Sequence, residues 1–340
     1  MKPLRLLGLV AVVALAAGVP AYTMANRAKP KVAFVSNNAF DFWTIAEAGC
    51  RKAEAELGTV EVVFRKPPNG TAADQKEIID ALMTQGVKAI AISVLDPKNQ
   101  TRYLNRIADR VPLITQDNDA PESKRLCYIG TDNYEAGRAA GKLVKEAMPE
   151  GGTVAIFVGM IEPLNARQRR QGVLDELAGA KDAQGPTLGK YKLHGSAFTD
   201  NTDTRKAKEN ALNVLNALQN EKSVCLVGLW AYNPPAMLSA LKDFTGPNKQ
   251  AVRLVGFDEN SETLKGIEDG QLYGTIVQNP FGFGYESVKL MAALAGGDRS
   301  SLPADGIRYV PHRVVTKDGG EGKVKAADFK AELESLLGKK

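Results

Sequence analysis

Histidine is almost missing from this 340-residue chain, with two copies, and cysteine is scarce, with three. His194 and His312 have no cysteine or acidic neighbour at metal-ligand spacing, so a zinc or other transition-metal centre is not expected and no cofactor is implied. Neither histidine stands where a hydrolytic serine would need its base, and no G-x-S-x-G turn occurs. Cys50, Cys127 and Cys225 are too few and too widely spaced for a disulfide framework, and each lies in apolar sequence. Buried, unpaired thiols are therefore expected.

Basic blocks are also lacking. The net charge of +5 is spread along the chain apart from Arg167-Gln168-Arg169-Arg170, and it falls to about +3 without Lys2 and Arg5, so nucleic acid is not an expected partner. One apolar run, Leu6 to Val19, follows the basic start Met1-Lys2-Pro3-Leu4-Arg5. At about fourteen residues it falls short of the roughly twenty that a spanning helix needs, which favours a cleaved signal peptide over 1–25 and a periplasmic location. Val19-Pro20-Ala21 or Thr23-Met24-Ala25 would end it; an uncleaved anchor is the alternative. No cysteine precedes Cys50 to carry a lipid.

The rest alternates strand and helix. Short β-branched runs occur at Lys31–Ser36, Val60–Phe64, Ala89–Val94, Leu113–Asp117, Leu126–Gly130, Thr153–Val158, Tyr191–Ala197, Val224–Leu229, Arg253–Phe257 and Tyr273–Val277. Between them apolar residues recur at helical spacing, as in Ala46, Gly49, Ala53 and Leu57. This order specifies an α/β fold with parallel sheets covered by helices. Thr71, Asp96 and Asn233 suit helix N-caps. Ten strands are many for one doubly wound sheet, so two similar lobes are expected, with a seam near Thr131-Asp132.

Several strands end in polar or aromatic residues. Phe42 and Trp43 follow KVAFVS, Asp117 ends PLITQD, Asp258 ends RLVGFD and Gln278 ends YGTIVQ. In open α/β sheets the carboxyl ends of the strands face the ligand crevice. Carboxylates accept hydroxyl protons and aromatic rings cover apolar C–H faces, so these residue types suit a small polar ring.

The segments VSNNAFDFWTIAEAG, ITQD, YIGTDNYEAGRAAG, NARQRRQG, LVGFD and TIVQNP resemble, in order and spacing, the bacterial periplasmic sugar-binding proteins of the ribose and galactose type. The resemblance covers about Lys31 to Val315. It implies the type I periplasmic binding protein fold: two Rossmann-like lobes joined by a three-crossing hinge that close on one sugar and present it to ABC transporter membrane subunits. Lobe one would be 30–131 plus 279–309, and lobe two 132–278 plus 310–340; the later crossings, near Gln278-Asn279 and Val310-Pro311, rest on the resemblance alone. A monomer without enzymatic activity is implied.

Carried over residue by residue, Asp117 and Asp258 match acceptor positions, Arg169 a donor at a helix start, Gln278 a hinge amide, and Phe42 and Trp43 stacking positions that Phe40 joins. The chain departs from the ribose pattern at Asn118, where an arginine is usual, at Ser93, where an asparagine is usual, and at Trp230, with Asn233 three residues on. Fewer charged donors and one more aromatic imply a different ring. Two other readings stay open, a sensor or chemoreceptor component and a carbohydrate-active enzyme using Asp117 and Asp258. A closing cleft with Arg169 nearby is expected to keep both acids ionised, which argues against a general acid. Gly282-Phe283-Gly284 lacks the third glycine of a dinucleotide turn, and Gly137-x-x-x-Gly141 reads as close helix packing.

Overall fold

Most of the β-branched runs bounded by turn residues pair in parallel here, because a helix after the strand carries the chain back; Leu113–Gln116 and Tyr128–Gly130 are parallel through a loop alone. The computed structural model describes residues 28–338, so the expected signal peptide over 1–25 lies outside the described residues. Strands β1 (Lys31–Val35), β2 (Glu61–Arg65), β3 (Ala89–Ile92), β4 (Leu113–Gln116) and β5 (Tyr128–Gly130) alternate with helices α1 (Phe42–Leu57), α2 (Ala72–Thr84) and α3 (Pro97–Ala108). A second series follows: α4 (Asn133–Ala147), β6 (Gly152–Val158), α5 (Leu164–Ala178), β7 (Thr187–Leu188), β8 (Tyr191–Leu193), β9 (Phe198–Thr199), α6 (Thr204–Ala217), β10 (Val224–Gly228), α7 (Asn233–Asp243), β11 (Val252–Phe257), α8 (Ser261–Glu268) and β12 (Gly274–Val277). The chain ends with α9 (Pro280–Ala295), β13 (Ile307–Tyr309), β14 (Arg313–Thr316), β15 (Lys323–Lys325) and α10 (Ala326–Leu336).

The strands form two sheets. One runs β13-β5-β4-β3-β1-β2; the other runs β15-β14-β12-β11-β10-β6-β8-β7, with β9 also on β6. Pairing is parallel except for β12 with β14 and β7 with β8. The chain passes between the sheets three times: after β5, between β12 and β13, and between β13 and β14. Helix α9 packs on α1 and so belongs with the first sheet, whereas α4 packs on α5 beside the second.

Each sheet is buried on both faces, and the period-two alternation of a strand divides its side chains between two cores. In β1, Val32 and Phe34 join one cluster with Trp43 and Ile129, and Ala33 and Val35 join another with Ile79 and Leu82. Val154, Ile156 and Val158 of β6 face one core of the second sheet, and Ala155 and Phe157 face the other. Cys50, Cys127 and Cys225 are all buried and unpaired.

Thr71 and Asp96 cap α2 and α3, accepting the Asp74 and Asn99 N–H groups, each at 3.1 Å. Asn233 differs from expectation. It is the first residue of α7 rather than its cap, because its Oδ1 turns back to accept the Trp230 N–H at 2.9 Å. The expected strand Tyr191–Ala197 ends at Leu193, and β7, β9 and β13 to β15 had no periodic signal, being two to four residues long. The glycine pattern in α4 does mark close packing: a Cβ on Gly137 would lie 2.2 Å from the Arg169 carbonyl oxygen, which only a glycine avoids.

Candidate functional cleft

One cavity of about 60 Å³ is lined from both sheets, by Asn37, Asn38, Phe40, Phe42, Trp43 and Asp117 on one side and Asn165, Arg169, Trp230, Ala231, Tyr232 and Asp258 on the other, with Gln278 at a crossing. Of the residues singled out from sequence, Phe40, Phe42, Trp43, Asp117, Arg169, Trp230, Asp258 and Gln278 line it. Ser93, Asn118 and Asn233 are buried behind it.

Asp117 and Asp258 stand at the ends of β4 and β11, at φ of 60° and 65°. A positive φ is uncommon for a residue with a Cβ and is tolerated best by Asp and Asn. It turns each carboxylate out of the strand direction toward the cavity. Asp117 accepts the Ser93 hydroxyl at 2.7 Å and the Asn37 amide at 3.4 Å, and Asp258 accepts Gln278 Nε2 at 2.9 Å. Each acid keeps one oxygen outside these bonds.

Arg169 is a buried guanidinium, 2 % exposed. Its Nε donates to Asn133 Oδ1 and one terminal nitrogen to the Leu229 carbonyl, both at 2.9 Å, and its Cζ lies over the Phe257 ring, 4.0 Å from the centroid. The other terminal nitrogen has no partner among the described residues; nor have Trp230 Nε1, Gln278 Oε1 and Asn165 Oδ1. A buried polar atom left unpaired costs about 1–3 kcal/mol. Four such atoms around one cavity, two donors and two acceptors, define a surface that a polyhydroxylated ligand would satisfy.

Burial pushes the Asp117 carboxyl up, against the opposing effects of Arg169 and the Ser93 hydroxyl. Asp258 is likewise raised by burial, with Arg169 and Gln278 opposing. Burial in turn depresses Arg169, which both acids partly offset. For both acids desolvation outweighs the Arg169 charge, so each carboxyl sits above its ordinary value.

Aromatic rings supply the apolar walls. Trp43, 1 % exposed, donates Nε1 to Asn37 Oδ1 at 3.1 Å and packs edge-on to Phe42 with centroids 5.1 Å apart, so it belongs to both core and cavity. Trp230 stands edge-on to Tyr232 at 6.4 Å, and Tyr232 meets Phe40 at 5.6 Å. Asn37, Asn38, Asn165 and Tyr232 escaped the reading of the sequence. The available signal was position: Asn37-Asn38 directly follow the β1 segment, and Asn165 opens the NARQRRQG helix.

Ser93 and Asn233 are spent on orienting neighbours. Asn118 bridges the two halves: its Oδ1 accepts the Asn165 N–H at 3.0 Å and its Nδ2 donates to the Val94 carbonyl. Among the described residues no acid, histidine and cysteine cluster suits a metal, and no helix is long and apolar enough to cross a membrane.

A sequence profile of the periplasmic binding protein domain matches residues 32–299. The chain is similar to the ribose import binding protein RbsB of Salmonella typhimurium, 27 % identical over 310 residues, 90 % of this chain and 98 % of that one. It is similar to an ABC transporter solute-binding protein from Burkholderia graminis solved in complex with D-arabinose, 28 % identical with a TM-score of 0.76 over 86 % of this chain and 97 % of that one. A glucose-galactose binding protein from Geobacillus stearothermophilus, GanP, matches at 25 % identity and a TM-score of 0.76, over 86 % and 99 % of the two chains.

Proposed function

The chain belongs to the periplasmic binding protein family, and from that premise we propose that it is an exported solute-binding protein that encloses a neutral sugar or sugar-like polyol between two lobes. It hands the ligand to the membrane subunits of an ABC transporter. The family is one of binding proteins, and relatives of this chain are named for ribose import or were solved with D-arabinose. The observation that carries the reading is the set of unpaired buried atoms on Arg169, Trp230, Gln278 and Asn165, framed by aromatic rings and two carboxylates.

The lobes are 30–131 plus 279–309 and 132–278 plus 310–340, a division supported by the sheet to which each strand belongs. The ligand is neutral because the cavity holds two acids against one base. An acidic sugar would set a third anion beside carboxylates already disfavoured by burial. The protein acts as a monomer without catalytic turnover, and export removes about the first 21 to 25 residues.

Isothermal titration with D-ribose, D-arabinose, D-allose, D-galactose and xylitol tests the reading, with gluconate and ribose 5-phosphate as acidic controls. At least one neutral compound is expected to saturate the protein and neither acid to bind. Binding of the acids alone, or hydrolysis of a glycoside by the wild-type protein, would overturn it. The mass of the exported protein checks the processing.

A further inference from the structure

Asp200 lies behind the cavity, in the turn after β9 where Asn201 and Thr202 both take positive φ, 55° and 64°. Its own N–H and that of Asn201 bind the Gly159 carbonyl at 3.2 and 2.9 Å, which anchors the turn to the end of β6. One carboxylate oxygen accepts the Tyr232 hydroxyl and the Thr202 N–H, the latter at 2.9 Å. The other oxygen faces Asn233 Nδ2 at 3.5 Å, and Asn233 holds the Trp230 N–H at 2.9 Å. One side chain thus ties down the whole Trp230–Asn233 segment.

The ring so held reaches across the cleft. Tyr232 meets Phe40, which comes from the opposite lobe on the β1–α1 connection, with centroids 5.6 Å apart and planes at 51°. Both residues line the central cavity and also an outer cavity shared with Asp41 and Asn260. Phe40 is 38 % exposed, so the ring pair stands at the boundary between the enclosed space and solvent. On the inner side Trp230 backs Tyr232 edge-on at 6.4 Å.

We propose that Phe40 and Tyr232 are the two leaves of an aromatic gate over the cleft mouth, and that Asp200 is the positioning residue that holds the Tyr232 leaf in its closing orientation. The inference rests on the sugar-binding reading of the cavity. A bound sugar leaves only after the ring pair parts, so the gate acts on dissociation more than on association. The bond from Tyr232 is charge-assisted, about twice as strong as a neutral one. Asp200 is pushed up to about 6 by burial, against hydrogen bonds from Tyr232 and Thr202 and the charge of Lys206, while Asp203 raises it further. Lowering the pH through about 6 neutralises the acceptor and loosens the leaf.

The two tryptophans of the chain, Trp43 and Trp230, both line the cavity, so intrinsic fluorescence follows closure without a label. Stopped-flow measurements with D-ribose and D-arabinose as probes test the gate. Tyr232→Ala and Phe40→Ala should release bound pentose about tenfold faster at little changed association rate, the loss of one aromatic pair. Tyr232→Phe and Asp200→Asn should each speed release about threefold, and the double variant no further, because the first removes and the second strips the charge from one and the same hydrogen bond. Release should quicken more steeply below pH 6 in the wild type than in these two variants, which keep only the titration of the cavity acids such as Asp258. If a pentose binds and no variant alters its release, the gate is overturned while the sugar-binding reading stands. If neither pentose binds, that reading fails for both probes and ligand-free protein decides the positioning role. Tryptophan emission should then titrate near pH 6 with a larger amplitude in the wild type than in Asp200→Asn or Tyr232→Phe, where Asp258 still titrates beside the same rings; a transition unchanged in both would overturn it.

Discussion

Asp117 and Asp258 share more than their charge. Each donates its N–H to a carbonyl of the neighbouring strand, Ile129 at 3.1 Å and Ile276 at 2.7 Å, and each accepts a buried hydroxyl on its own carbonyl, from Tyr128 at 2.9 Å and Thr275 at 3.0 Å. These bonds lock two left-handed residues that would otherwise cost about 1–3 kcal/mol apiece. Asp258→Asn keeps the backbone and removes the charge, so sugar affinity should fall by about 1.5–3 kcal/mol with a small change in melting temperature, read by titration and calorimetry. Arg169→Ala behaves differently. It should weaken binding by about 2–4 kcal/mol and also lower the melting temperature, since Asn133 and the Leu229 carbonyl lose their donors. An unchanged melting temperature would show that those two bonds contribute nothing net. Asp200 has a sign of its own: its folded value of about 6 lies above its ordinary 3.8, so its contribution to stability is full below about pH 4 and is lost as pH rises through 6. Thermal melts of Asp200→Asn should accordingly decline less between pH 4.5 and 7 than those of the wild type.

The acids and aromatics were legible in the sequence because each ends or follows an apolar run, a position that topology turns toward the crevice. The helices carry a second kind of information. α4 and α5 meet at glycine: a Cβ on Gly172 would lie 2.2 Å from the Tyr134 carbonyl oxygen, so Gly172→Ala must push the two helices apart. It should destabilise the protein by about 1–3 kcal/mol and weaken sugar binding as well, because α5 carries Asn165 and Arg169 into the cavity. Denaturant melts and titration of the same variant separate the two effects. The short strands β13 to β15 were illegible for a related reason. Their pairing is decided by the sheet edge they reach: Ile307–Tyr309 runs beside β5, and Arg313–Thr316 runs antiparallel to β12. Three or four residues with mixed burial carry no periodicity of their own.

For the molecule as a whole, the contacts between lobes bear on closure. Asn118 to Asn165 and Phe40 to Tyr232 join residues from opposite sides of the cleft. Under the proposed function these contacts exist only when the lobes meet, so a ligand that bridges Asp117 and Arg169 shifts the population toward the closed form. The radius of gyration in solution scattering should decrease on saturation with a bound sugar. Asn118→Ala should reduce affinity by about 0.5–1.5 kcal/mol without touching the sugar, since it removes one hydrogen bond of the closed state. A radius unchanged by saturating sugar would replace closure with a one-sided pocket.

Composition and periodicity alone settled the α/β class, the absence of a disulfide framework and the acids at the strand ends, because those follow from local pattern and from the fixed direction of parallel strands. Asn118 shows where local information stops. The sequence marked it as a ligand contact in place of an arginine, yet both ends of its amide are taken by Val94 and Asn165, 24 and 47 residues away. Tyr232 and Asn165 entered the site for the same reason, through the approach of two sheets that no segment of the chain encodes by itself. Which polar atoms stay unpaired, and hence what a ligand must supply, depends on all the neighbours at once, and only the tertiary structure brings those neighbours together.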